Sequence, residues 1–143
     1  MNPSADFPRL TDGNHRVTSP SNSDYNCVAW AADDTMNWWQ PGVFWPIQAG
    51  LEDFGIATLQ AALVFLGYVP CPDGSEETGF EKVALYATGV FYTHAARQLP
   101  NGNWTSKLGR EEDIEHDAPE DVGGGIYGEP TVFMKRAVAD SGQ

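Results

Sequence analysis

The clearest apolar periodicity lies in residues 51–66, LEDFGIATLQAALVFL. Leu51, Phe54, Ala57/Thr58, Ala61/Ala62 and Phe65 recur at three- and four-residue spacing, which predicts a helix that Gly67 stops. An earlier helix is predicted from Asn26 or Cys27 through Val28-Ala29-Trp30-Ala31-Ala32. Ser23, Asp24 and Asn26 all have side chains that cap a helix start. Beyond Gly67 the period becomes that of strands. Lys82–Ala87, Phe91–Leu99 and Trp104–Leu108 fit it, the last two joined by Pro100-Asn101-Gly102-Asn103, whose Asn-Gly is a hairpin signal. A further strand or short helix is expected within Pro130–Ala137, after the Gly123-Gly124-Gly125 turn. Trp38, Trp39, Phe44 and Trp45 are interrupted by Pro41, Gly42 and Pro46, so they predict a packed loop.

Residues 1–24 are rich in Pro, Ser, Asn and Asp and show no period. They read as an irregular arm, tethered by Phe7 and Leu10. Residues 25–138 read as one domain and 139–143 as a flexible tail. Two helices followed by antiparallel strands predict an α+β fold, with N-terminal helices packed on an antiparallel β-sheet.

Charge narrows the partners. Twenty acids against eight bases give a net charge of −12. Such a chain repels nucleic acid and anionic membrane surfaces. The acidic cluster Glu111–Asp121 reads as a solvated loop. No apolar stretch follows Met1 and no run is long enough to span a bilayer, which predicts a cytoplasmic protein. Cys27 and Cys71 are then expected as reduced thiols, not a disulfide framework.

Cys27 falls at the predicted start of a helix, where unpaired backbone N–H groups and the macrodipole favour an anion. That placement favours a thiolate nucleophile. His94 lies on a predicted strand, with the small residues Ala95 and Ala96 leaving room beside it. A cysteine nucleophile needs a base within reach, and the base needs a third group to fix its tautomer. Gln98, on the same strand face as His94, is one candidate. The N–H of Cys27 is the natural oxyanion donor, with Asn26 and Tyr25 as candidates for a second. Asn26 reads equally well as an N-cap. His116 has acidic neighbours and reads as a surface or structural residue, or as one that loop folding brings to the site. A Zn²⁺ site from Cys27, His94 and His116 suits the donor types but lacks any short-spacing ligand motif, so no metal is expected. Cys71, between Pro70 and Pro72, reads as a turn residue. Gly123–Gly125 lacks the Lys of a phosphate loop, so no nucleotide cofactor is expected.

The segments Tyr25-Asn26-Cys27-Val28-Ala29-Trp30-Ala31 and Thr93-His94-Ala95-Ala96-Arg97-Gln98-Leu99, with Gly102–Gly109, resemble a family of short uncharacterised bacterial proteins. Their pattern is similar to the NlpC/P60 and CHAP branch of the papain-like cysteine hydrolases, over about Tyr25 to Arg136. The resemblance implies a papain-like core, a Cys27 nucleophile, a His94 general base and hydrolysis or deamidation of an amide through a thioester. In that pattern a polar residue on the return strand orients the histidine. By count it falls at or next to Ser106. The hairpin register decides the matter: a two-residue turn would put Thr105 and Lys107 on the His94 face, and one extra loop residue would favour Ser106.

The expected function is a cysteine-dependent hydrolase (amidase, peptidase or deamidase) with a peptide or other amide substrate. The alternative is a non-catalytic module of the same fold, using the aromatic loop to hold a protein partner.

Overall fold

Val83, Leu85, Ala95 and Met134 belong to one apolar cluster, and Ala84, Tyr86, Ala96 and Trp104 to another. Neighbours along each strand fall into different clusters, as they must when successive side chains leave a strand on opposite faces. A single sheet therefore divides two interiors. The computed structural model describes residues 7–11, 13–19, 25–32, 34, 38–41, 45–47, 54–107 and 113–138.

Within these residues the elements run β1 (His15–Ser19), α1 (Cys27–Ala31), α2 (Ile56–Phe65), β2 (Val69–Cys71), β3 (Phe80–Thr88), β4 (Phe91–Gln98), β5 (Trp104–Lys107) and β6 (Asp113–His116). A 3-10 turn (Pro119–Val122) and β7 (Glu129–Ala137) follow. The seven strands form one sheet in the order β1-β6-β5-β4-β3-β7-β2. Every paired neighbour is antiparallel.

This corrects the expected fold class. The domain is mainly a seven-stranded antiparallel sheet with two short helices among the described residues, not N-terminal helices on the sheet of a papain-like core. The strands that enlarge the sheet come from segments with weak period-2 patterns. β1 lies inside the expected irregular arm. It is an edge strand whose Val17 is exposed, so it carries no buried apolar stripe. β6 lies inside the expected solvated loop, and its acids hid the alternation of Asp113-Ile114-Glu115-His116. β2 runs through Pro70 at the opposite edge, the position where a strand tolerates proline.

α1 and α2 cover the first face. Leu59, Ala62 and Leu63 of α2 are buried there with Tyr25, Val28, Trp39 and Tyr68. Each fully buried Leu contributes about 1.5–3 kcal/mol of transfer free energy. Among the described residues, the second face is covered without a regular α-helix. Phe7, Leu10, Val122 and Tyr127 form its lid. Arg9 ties the N-terminal segment to Glu129 through two hydrogen bonds, of 2.8 and 2.7 Å. The 72–79 loop covers the rest. Its Gly74 lies so close that a Cβ would come within 2.8 Å of the Trp104 ring and 3.0 Å of Phe133.

The hairpin between β4 and β5 has Arg97 opposite Thr105 and Gln98 opposite Trp104. Its loop, 99–103, turns through Gly102 at φ 89°, a conformation that glycine adopts without strain. Between β3 and β4, Tyr86 faces His94 but Ala87 faces Tyr92, so Thr93 is an extra residue in a β-bulge. Among the described residues, no helix is long and apolar enough to cross a membrane.

Candidate functional site

α1 starts at Cys27 because Asn26 caps it. Asn26 Oδ1 accepts from the N–H of Ala29 at 3.0 Å and of Trp39 at 3.2 Å, and its Nδ2 donates to the Trp39 carbonyl at 2.7 Å. Both ends of this amide are engaged in holding the helix start. The helix is fixed on the sheet by Trp30, whose Nε1–H donates to Thr105 Oγ1 at 2.9 Å. Arg97 of β4 adds a hydrogen bond to the Trp30 carbonyl.

Cys27 is thereby held in the first interior, 9% exposed, in the cluster that contains Ala95 and Leu85. Burial pushes its thiol up to about 11. Every specific neighbour acts the other way: the backbone hydrogen bonds of Ala95, Val28 and Cys27, then the charge of Lys107. Lys107 is fully buried, its ammonium 5.0 Å from the centre of the Tyr25 ring. Tyr25 stacks on Trp30 and donates its O–H to Asp113 Oδ2 at 2.7 Å. Asp113 faces Lys107 across β5 and β6 and is also fully buried. Its Oδ1 has no hydrogen-bond partner among the described residues.

The second interior holds a different polar group. His116 Nδ1 lies 2.8 Å from the Ala118 carbonyl, His116 Nε2 lies 2.7 Å from Ser106 Oγ, and Ser106 Oγ lies 3.0 Å from His94 Nε2. A carbonyl only accepts, so His116 carries its proton on Nδ1. Its neutral Nε2 must then accept from the Ser106 O–H. The Ser106 oxygen in turn accepts from His94 Nε2–H, which leaves His94 Nδ1 as a bare acceptor. That nitrogen is buried and has no partner among the described residues. Burial holds the His94 imidazole well below the usual histidine range, and His116 reinforces the effect. His116 is lowered too, mainly by burial, against the Ala118 carbonyl and Asp121. The His94 ring stacks on Tyr127, with centroids 4.0 Å apart, and meets Tyr86 edge-on at 4.9 Å.

The structure thus brings Ser106 and His116 to His94, and Lys107, Tyr25 and Asp113 to the Cys27 side. It places Cys27 and His94 on opposite faces of β4, with no hydrogen bond between thiol and imidazole among the described residues. Alternation is the cause: Ala95 packs on the helix side, so His94 beside it faces the other interior. In a regular strand Tyr92 and His94 would share a face. The extra Thr93 turns Tyr92 away from the His94 face and leaves it on the helix side, against Trp45 and Phe54. A metal set of Cys27, His94 and His116 is divided by the same sheet. Gln98 shares the His94 face but donates to the Gly74 carbonyl at 2.8 Å, pinning the covering loop. Cys71 lies on β2, its thiol toward the Asp73 carbonyl at 3.5 Å. Trp39 is buried, donating to Asp34 at 2.7 Å, and Trp45 stacks on Tyr92, so these members of the aromatic segment pack inward. Phe44 lies outside the described residues.

Tyr25 was expected beside Cys27, but Lys107 and Asp113 were not anticipated on the thiol side. The available signal was alternation: Thr105 and Lys107 share one face of β5, as Asp113 and Glu115 share one face of β6. Elsewhere, Glu76, Glu77, Glu81, Arg97, Leu99 and Val138 are among the residues lining a cleft of about 400 Å³.

No curated protein and no solved structure matches this chain. A family model, described as a domain of unknown function, DUF7689, matches residues 16–135. The chain belongs to that family.

Proposed function

We propose that the domain is a cysteine-dependent hydrolase of amides, with Cys27 as its nucleophile. One observation carries this reading: Cys27 opens the capped helix α1, and the backbone of Cys27, Val28 and Ala95 and the buried Lys107 cation all favour its thiolate. Only desolvation raises the thiol, and a substrate or solvent entering the site removes that opposition while the acidifying contacts stay. The reading rests on Cys27 and its surroundings, not on a papain-like architecture. In the reaction the sulfur bonds to the carbonyl carbon and the C–N bond breaks. The amine leaves with the proton that the thiol gave up. Water then cleaves the thioester and returns the thiol.

An activated ester tests this. Incubation of the native protein with p-nitrophenyl acetate should release a burst of about one equivalent of nitrophenolate, with the acetyl group on the Cys27 peptide. Acetylation confined to Cys71 and surface lysines would overturn the reading.

A second reading is a binding module for a basic peptide segment, seated in the cleft beside Arg97. Three cleft glutamates and the net charge of −12 favour it. Binding of a lysine-rich peptide that Glu76→Gln weakens, with no acylation of Cys27, would select this reading over the first.

A further inference from the structure

We infer that the 400 Å³ cleft holds one lysine side chain of a partner peptide, its ammonium on Glu76 and its hydrocarbon stem along Leu99, Pro100 and Val138. This rests on the binding-module reading above and narrows it from a basic segment to a single ammonium. The walls come from the turn before β3, from the end of β4 with its loop, and from the residue after β7. The Val138 N–H donates to the Gly79 carbonyl at 2.9 Å, which joins two of these walls.

Three glutamates line the cleft, but two are neutralised from within. Glu77 Oε2 accepts from Lys135 Nζ at 2.6 Å, and its Oε1 lies 3.6 Å from Lys82 Nζ. Glu81 Oε1 accepts from Arg136 at 3.2 Å and from the Tyr68 hydroxyl at 3.1 Å. Glu76 is exposed and makes no ion pair or side-chain hydrogen bond among the described residues. Its carboxylate lies over the β4–β5 loop, where a Cβ on Gly102 would meet Oε1 at 3.0 Å. The bare glycine leaves the space that the carboxylate fills, close to the loop that carries Leu99 and Pro100.

The cleft therefore offers one unmatched negative charge beside an aliphatic wall, of which Val138 is 45% exposed. A lysine matches both parts, because its stem lies along apolar surface while its compact charge seeks a carboxylate and water. A second ligand cation has no place here. Lys82, Lys135 and Arg136 stand behind the paired glutamates, and Arg97 is itself on the wall. A further ammonium would meet these cations and no unmatched cleft carboxylate.

The test uses fluorescence anisotropy with the full chain and labelled glycine peptides, blocked at both ends, that carry one lysine or four. The one-lysine peptide should bind. The four-lysine peptide should bind at most about fourfold tighter, the statistical gain of four equal ways to fill one site. Several lysines engaged together would instead multiply their effects. Replacing the single lysine with acetyl-lysine or norleucine should abolish binding. Glu76→Gln should weaken the one-lysine peptide about fivefold, the worth of an exposed ion pair. Val138→Ser should weaken it as well, since the stem loses apolar wall. Strong binding of four lysines with none of one overturns the inference and leaves the basic-peptide reading standing. One-lysine binding that Glu76→Gln leaves unchanged, or that norleucine reproduces, overturns the inference too. Binding of neither peptide removes both.

Discussion

Thr105 and Ser106 are neighbours on β5, and their hydroxyls serve opposite interiors. Thr105 Oγ1 accepts from Trp30 and donates to the Ile114 carbonyl at 2.9 Å, joining helix to sheet. Ser106 joins two histidines that have no other side-chain hydrogen-bond partner among the described residues. The helix-covered face thus holds charge: a lysine, an aspartate and a thiol within reach of that lysine's field. The face under the N-terminal segment holds neutral imidazoles in a hydrogen-bond order with a single direction. Ionic groups are retained inside a protein only with strong pairing, whereas a neutral chain needs only that each donor find an acceptor. The difference teaches where chemistry and where packing should be sought in this domain.

The sharpest way to separate the two faces is acid. Both histidines have folded pKa values depressed below the unfolded value near 6.5. Their contribution is therefore complete above pH 6.5 and declines as pH falls below it toward the folded values. Each costs up to about 1.4 kcal/mol per pH unit for as long as it stays neutral. Denaturant titrations between pH 7 and 4.5 should show this steep loss, and His116→Gln should reduce the slope. Equal slopes in the two proteins would show that the second face does not control acid stability.

Ser106→Ala comes next. It leaves a buried His94 N–H and a buried His116 lone pair without partners, and unsatisfied buried groups cost about 1–3 kcal/mol each. A loss of about 4 kcal/mol in chemical denaturation is expected. Thr105→Val, one residue away, should lose about half as much.

Alkali tests the first face. A thiol raised from 9.0 to about 11 on folding contributes stability that is fully present below pH 9 and lost as pH rises toward 11. The full amount is about 3 kcal/mol. Comparing pH 8 with pH 10.5 should show a drop in the native sequence that Cys27→Ala diminishes.

The smallest effect is expected from Arg9→Met, which removes an exposed ion pair with Glu129. Thermal unfolding should shift less than in any of the variants above, and less still at high salt. A larger loss would mean that the N-terminal segment governs the second interior more than its two apolar anchors, Phe7 and Leu10, suggest.

The legible parts of the fold were those with strong local patterns. The apolar run of 51–66 marked the existence of α2 but not its face: Leu59, Ala62 and Leu63 are buried while Phe65 is exposed, the helix starts at Ile56, and residues 51–53 lie outside the described set. β3, β4, β5 and β7 lie close to their expected spans, because buried central strands show dense apolar and β-branched runs. Edge strands β1 and β2 bury too little to leave such a mark. β6 was hidden by its charges, since an interior Asp113 has the same letter as a solvated one. At the site, the Asn26 cap could be read from residue type. The juxtaposition of Ser106 with His94 could be read only conditionally, through loop length. The facing of His94 depended on one further fact, that its neighbour Ala95 packs toward the helices. One unpaired residue, Thr93, reverses Tyr92 instead, and nothing in Tyr92-Thr93-His94 announces a bulge.

The sheet ends on one side in a pairing of distant partners: among the described strands β1 pairs with β6 alone, with His15 opposite His116. Roughly a hundred residues separate these strands, so their union has a high entropic cost and should form late in folding. During synthesis β1 leaves the ribosome early and then waits, its edge groups unpaired, until β6 has been made. His116 reaches Ser106 earlier, through the neighbouring β5–β6 pairing, but the segment before β1 brings Phe7 and Leu10 over that group. The cover of the second interior should therefore arrive at the end of folding, in one event with the docking of the sheet's first strand.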